Sequence, residues 1–444
     1  MTNPAMQAPD QVAWQLFSQV TAAAPTPTPA PPPPPSGNPP PAQALFATWA
    51  SDTDTFKPNA TWPTGAETTN GIDVHPAVLP ALHAGRGNNA ANGAAPAPGQ
   101  AKAAVKAAAS ASPPAPAACS ATPPPLSGVN AEPANVLPQG PLEEVRRNQA
   151  AFGYITGTDP ATGKQVSQPL NSVSNLKKAF NATMTVNFPV DSIEVKTNWI
   201  PVSCIPTFYP TMTTPEMIAE NFYTAVDNEN TPMALIAMHL ISKQVPNWTW
   251  ATFEHNLNPG RCDFLGCHDA FGATTPNVPP ATNNSPGNNQ GTVYAPCAQT
   301  PALQALLANV VAQFKTNYCL KGSQTDWTDN SGLAVRLGNS VTEFGFVQQA
   351  SCMTCHGMAN WDKTGNSTTG GGFDNNTGLA QFGPIDPDYY WTASGPQPWF
   401  EGMIGLTRIA LSADFVWSIP FCAYDDTGQG PPKPSGCAAQ GGDR

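Results

Sequence analysis

Cys352, Met353, Thr354, Cys355 and His356 follow one another in this chain. They spell C-x-x-C-H, the spacing that attaches a c-type haem covalently. Each thiol adds across one haem vinyl group to form a thioether, and the histidine reaches the iron as its proximal ligand. The short spacer keeps both sulfurs and the imidazole on one turn beneath the porphyrin. A disulfide or half of a zinc site would use the same C-x-x-C. Zinc, however, needs a second Cys/His pair at matching spacing, and a thioredoxin-like motif needs a βαβ context. Neither is evident, so one haem c is the expected cofactor.

The far side of the iron decides the chemistry. A second strong ligand makes an electron carrier, whereas an open position admits oxygen or peroxide chemistry. Met403, downstream of the motif on a predicted helix, is one candidate ligand, and a core methionine is the competing reading. His239 is the other candidate, inside the apolar run Ala234 to Ile241, with a hydrogen-bonded core histidine as its competing reading. Cys262, Cys267 and His268 form C-x-x-x-x-C-H. That widened motif is read as a bridged tight loop, with a second haem as the alternative. Trp248, Trp250, Glu254 and His255 lie close together on one predicted strand. They are core and hydrogen-bonding residues or, alternatively, the lining of a haem pocket.

These residues need a scaffold, and the 444-residue chain divides unevenly. More than half of its 52 prolines fall in the first 141 residues, together with the Pro31–Pro35 run and the Ala/Pro/Ser tract from Gly85 to Pro125. Such sequence cannot bury enough apolar surface to offset its ordering entropy. The expected organisation is short helices over 1–60 that dock on the main domain, a low-complexity linker over 61–141, and a haem-binding domain over 142–444. Helices are predicted over Val12–Ala23, Ala42–Ala50, Leu142–Ile155, Met217–Val226, Pro301–Thr316 and Met403–Leu411. Strands are predicted over Met184–Phe188, Ile193–Ile200, Ala234–Ile241 and Trp248–His255, with Phe415–Phe421 a strand or an extended end. The elements do not alternate, so the fold class expected is α+β, one large loop-rich domain with a small sheet.

The net charge of −11 argues against nucleic acid as a partner and suits steering towards a basic redox protein. Ten cysteines, two of them in the haem motif, leave an even remainder that fits an oxidising compartment. Cys422 and Cys437 are the best local pair, and Cys119 is expected to be a free thiol. No run reaches the length of about 18 apolar residues that a membrane span needs. Gln11 to Ala24 lacks the basic start of a secretory signal. The expectation is therefore that a signal has been removed or that the true N-terminus differs.

Several stretches carry a resemblance. They are Ser192–Trp199, Met238–Lys243, Trp248–His255, Ser351–His356 and Ala413–Phe421. They are similar to segments of large bacterial proteins of the cytochrome c family. That resemblance implies an exported protein, periplasmic or extracellular, that holds a single haem and transfers electrons. A haem enzyme of peroxidase or oxidase type, and a disulfide-stabilised surface protein without redox chemistry, are the alternative readings.

Overall fold

Ile193–Pro201 alternates apolar with polar residues and lies at the centre of an antiparallel sheet. The structure is a computed structural model and describes residues 3–25, 42–63, 71–76, 119, 142–263, 265–273, 294–343, 346–369, 381–396 and 404–428. In chain order the strands of the sheet are β1 (Ala50–Ser51), β2 (His75–Pro76), β3 (Leu142–Arg147), β4 (Ile193–Pro201), β5 (Thr224–Val226), β6 (Pro232–Ser242), β7 (Thr249–His255) and β8 (Tyr318–Gln324). The sheet has eight strands in the order β1-β3-β4-β6-β7-β8, with β2 beside β3 and β5 beside β6. Short helices surround it, so the fold mixes helix with antiparallel sheet, as the α+β class requires.

Register gives the sheet two chemically different faces. Val195, Leu240 and Ala251 lie side by side on one face; the next residues in register, Lys196, His239 and Thr252, lie on the other. The first face is apolar and is covered by the helix Pro9–Thr21, which starts at a proline with Asp10 in its first turn. Phe17 of that helix is fully buried, and its ring centroid is 4.5 Å from that of Phe253 on β7. Trp14 lies 5.0 Å from the same ring and donates its indole N–H to Asp269 at 2.8 Å. The second face is polar, yet it is covered too, by the segment from Leu337 to Gly357.

Several predicted elements differ from those observed. The helix expected over Leu142–Ile155 is strand β3 followed by a helix over Gln149–Thr156. Glu143 pairs across to Lys196 at 2.7 Å and Arg147 to Glu194 at 3.2 Å, which ties the acidic and basic residues to β4. The helix begins only where the Asn148 side chain accepts from the Ala151 N–H. The helix expected over Met217–Val226 stops at Asn221, and Thr224–Val226 joins the sheet as β5. The helix from Pro301 ends at Leu306. Met184–Phe188 forms no strand. Ile404–Arg408, expected to be helical, is instead a strand paired with Trp391–Pro396, and Ser418–Cys422 is a helix rather than an extended end.

Candidate functional site

The C-x-x-C-H residues form a helix of their own, Cys352–Gly357, anchored to the end of the sheet. Gln324, the last residue of β8, holds its N-terminus. The Gln324 amide N–H donates to Ser351 Oγ at 3.1 Å, and its carbonyl accepts from the Met353 N–H at 3.2 Å. Ser351 Oγ caps the helix by accepting from the Thr354 N–H. The Thr354 hydroxyl donates to the Gly383 carbonyl at 2.6 Å, and the Trp417 indole donates to the Cys355 carbonyl at 3.1 Å. Gly357 closes the turn where space is shortest: a Cβ there would lie 2.1 Å from Ile385 Cδ1 and 3.2 Å from the Phe415 ring.

The imidazole of His356 is oriented from behind. Its Nδ1 is 2.9 Å from the Phe415 carbonyl, so Nδ1–H donates and Nε2 carries the lone pair. Burial pulls its pKa down to about 4, which keeps the ring neutral. The backbone that presents this carbonyl is strained: Asp414 and Phe415 have φ of 48° and 73°, a region that non-glycine residues seldom occupy. Asp414 is held there by Lys243 Nζ, 2.6 Å from its Oδ1, and by the Phe188 N–H, 2.8 Å from its Oδ2. The Trp250 ring lies 4.7 Å from the imidazole, and Phe415 lies 5.9 Å from Trp250.

Lys196, His239, Glu343, Cys355 and His356 are enclosed by protein yet keep accessible surface, so they border space inside the molecule. His239 is close enough to His356 for a charge on one ring to disfavour a charge on the other. Burial, reinforced by Lys196, pushes its pKa well below the ordinary histidine value. Its Nε2 is 2.8 Å from Thr342 Oγ1, and that hydroxyl donates to Asn198 Oδ1 at 2.8 Å. The hydroxyl proton is thus committed to Asn198, so Nε2–H of His239 is the donor and Nδ1 holds the lone pair. Burial raises the Cys355 thiol to about 12 and the Cys352 thiol well above its usual value. Both are protonated thiols, unlike the low-pKa thiolates of dithiol oxidoreductases.

Every other described cysteine is in a disulfide. Cys119 is bridged to Cys204, Cys262 to Cys267, and Cys297 to Cys319. Cys422 is also bridged, and its expected partner Cys437 lies outside the described residues. The expectation of a free thiol at Cys119 is therefore wrong. The second-haem alternative at Cys262, Cys267 and His268 fails for a related reason, because both of its thiols are consumed in one bridge. His268 instead places Nδ1 3.3 Å from Asp10 Oδ2, which raises the histidine pKa and ties the N-terminal helix to the sheet. The disulfides fit a chain that folds outside the reducing cytosol. Among the described residues, no helix is long and apolar enough to cross a membrane. Among the described residues, no group of three or more His, Cys, Asp or Glu side chains is placed to hold a metal ion.

The remaining candidates separate. Met403 lies outside the described residues. Trp248 precedes β7 with φ of 61° and packs on Phe188, whereas Trp250 faces His356. Glu254 is buried and accepts from the Ser340 N–H at 2.8 Å and from Asn258 Nδ2 at 3.2 Å. His255 stacks on Phe222 with both ring nitrogens bonded, a structural role. Sequence reasoning missed Lys196, Gln324, Glu343 and the Phe415 carbonyl. The polar alternation of β4 was the available signal for Lys196. Searches of protein-family models, curated proteins and solved structures return no match to this chain.

Proposed function

We propose that this chain is an exported c-type cytochrome, held in the periplasm or outside the cell, that transfers single electrons. Cys352 and Cys355 would tether one haem c through thioethers, and Nε2 of His356 would be the proximal ligand. One observation carries the reading. Among the described cysteines, the rest of which are bridged, two thiols stay reduced on one helical turn, beside an imidazole whose Nδ1–H is already committed to the Phe415 carbonyl. A metal-ligating histidine is oriented in this way, and the outer hydrogen bond raises its basicity. The donor set therefore fits the group. Haem bound there would supply one-electron chemistry at iron. Trp250 and Phe415 would flank the proximal imidazole and keep water from it, and the acidic chain would favour a basic redox partner.

The hydrogen bonding of His239 favours a second reading, a haem oxidoreductase with an open distal position. With Nε2–H held by Thr342, His239 would offer a neutral Nδ1 as a hydrogen-bond acceptor, in register with Thr252 of β7. Met403 is the other ligand candidate for the carrier. Exported protein should stain for haem after denaturation, and no stain rejects both readings. The visible spectrum separates them. Low-spin iron unmoved by cyanide marks the carrier, and high-spin iron that shifts with cyanide marks the enzyme.

A further inference from the structure

Besides the buried cluster of Arg147 with Glu194 and Asp52 at one edge, the covered polar face of the sheet encloses five charged-type side chains in unequal number. Lys196 on β4 takes Glu143 on β3 at 2.7 Å. Lys321 on β8 takes Glu254 on β7 at 3.4 Å, and Glu254 also accepts from Ser340 and Asn258. The fifth is Glu343, in the segment over the sheet, and it makes no ion pair among the described residues. Among the described residues its Oε2 accepts from the Asn339 N–H alone. Two lysines therefore face three carboxylates. Glu343 also lies near the thiols of Cys352 and Cys355, and Lys196 lies near Cys355, His239 and His356.

We propose that Glu343 is the proton-accepting group of a proton-coupled electron-transfer centre, an inference that rests on the haem reading above. When a one-electron reductant, a small mediator or a redox protein, delivers an electron to the centre, the Glu343 carboxylate takes one proton from solvent and becomes the carboxylic acid. Reoxidation returns the proton, so the charge enclosed beside the sheet is the same in both states. The geometry favours Glu343 over its neighbours. Glu143 and Glu254 each face a lysine, Nε2–H of His239 is committed to Thr342, and Nδ1–H of His356 is committed to the Phe415 carbonyl. Burial also raises the Glu343 carboxyl to about 7, against the smaller opposing pull of Lys196 and the Asn339 N–H.

The experiment is a mediated spectroelectrochemical titration of the purified holoprotein between about pH 5 and pH 9, on wild type, Glu343→Gln and Glu343→Asp. The wild-type reduction equilibrium should change tenfold per pH unit where Glu343 titrates, a slope of about 59 mV for one electron. Glu343→Gln should be flat there, and Glu343→Asp should keep a sloped region displaced in pH. A flat wild-type profile, or one slope shared by all three proteins, overturns the proposal. Should Glu343→Gln fail to accumulate, proton uptake by the wild type on reduction near pH 7, read with an indicator dye, decides it; uptake well below one proton per electron rejects it. A pyridine haemochrome assay on the same samples separates the two claims. Absence of haem overturns the cofactor reading and this inference together, whereas haem with pH-independent potentials overturns only the inference.

Discussion

Asp414 joins the sheet to the backbone that orients His356, and its removal tests that link. Asp414 and Lys243 are almost fully buried, at 8% and 4% side-chain exposure, with 2.6 Å between Oδ1 and Nζ. Asn in place of Asp414 keeps the shape and tolerates the left-handed backbone, but it removes the charge. The Lys243 ammonium would be left with the Pro246 carbonyl at 2.7 Å and the Trp248 ring at 5.7 Å. An uncompensated buried charge costs about 3–5 kcal/mol. Burial raises the Asp414 pKa even beside Lys243, so deleting that carboxylate also relieves a desolvation cost. The lower end, about 3 kcal/mol, is therefore the expected loss for Asp414→Asn. Lys243→Met should cost a similar amount by stranding the carboxylate. The double variant should recover to within about 1 kcal/mol of wild type, because no charge is then left alone. Urea unfolding followed by tryptophan fluorescence measures all four proteins, and unchanged m-values would make the midpoints comparable. The reasoning is wrong if Asp414→Asn costs less than about 1 kcal/mol, or if the double variant loses the sum of the singles.

Glu343 gives a pH-dependent prediction that needs no cofactor assignment. Its carboxyl rises from 4.5 to about 7 on folding. The folded chain then holds the proton more tightly than the unfolded one, so this contribution is complete below pH 4.5 and is lost as pH rises through about 7. A shift of that size corresponds to roughly 3 kcal/mol, and Glu343→Gln should abolish the loss. Urea midpoints of the two proteins should converge in acid and part in base; parallel profiles contradict it. Phe17→Ala should cost about 3–5 kcal/mol through the cavity left against Phe253, read as a lower thermal midpoint; a change below about 1 kcal/mol would show that the N-terminal helix is not needed to close that face. Gly357→Ala should displace Ile385 and Phe415 at a cost of about 1 kcal/mol, the low end for overpacking, because Ile385 meets it with a flexible tip. Its sharper readout is the His356 ring environment by NMR, and an unshifted spectrum would contradict the crowding.

Local signals in the chain were sufficient where one interaction dominated. β4, β6 and β7 were legible because β-branched and aromatic residues recur at strand spacing, and the C-x-x-C-H turn was legible because its chemistry is written in five adjacent residues. Leu142–Arg147 was misread because its glutamates and arginines suit a helix start. Their partners Lys196 and Glu194 lie about fifty residues away, and those pairs form only in a sheet. Ile404–Arg408 was misread for the same reason, since its strand partner Trp391–Pro396 lies upstream in sequence. The orienting carbonyl of Phe415 could not be found from side-chain identity at all. Any residue has a carbonyl, and only a left-handed backbone held by Asp414 aims this one at His356.

The polar alternation of β4 also changes meaning once the fold is known. Glu194, Lys196 and Asn198 would suit a solvent face of a two-layer sheet. Here the segment from Leu337 to Gly357 covers that face, so Lys196, His239, Thr252 and Glu254 are interior groups. Covering them is expensive, because buried ion pairs seldom repay their desolvation and apolar residues of similar volume are often as stable or more so. The opposite face of the same sheet shows that this chain can build such an apolar layer, with Phe17, Leu240 and Phe253. Stability alone would have favoured the same solution twice. Glu343, without an ion pair among the described residues, neutral His239 and the reduced thiols instead concentrate on the side that holds the C-x-x-C-H turn. That concentration suits an interior that manages charge around a bound group better than it suits a structural core.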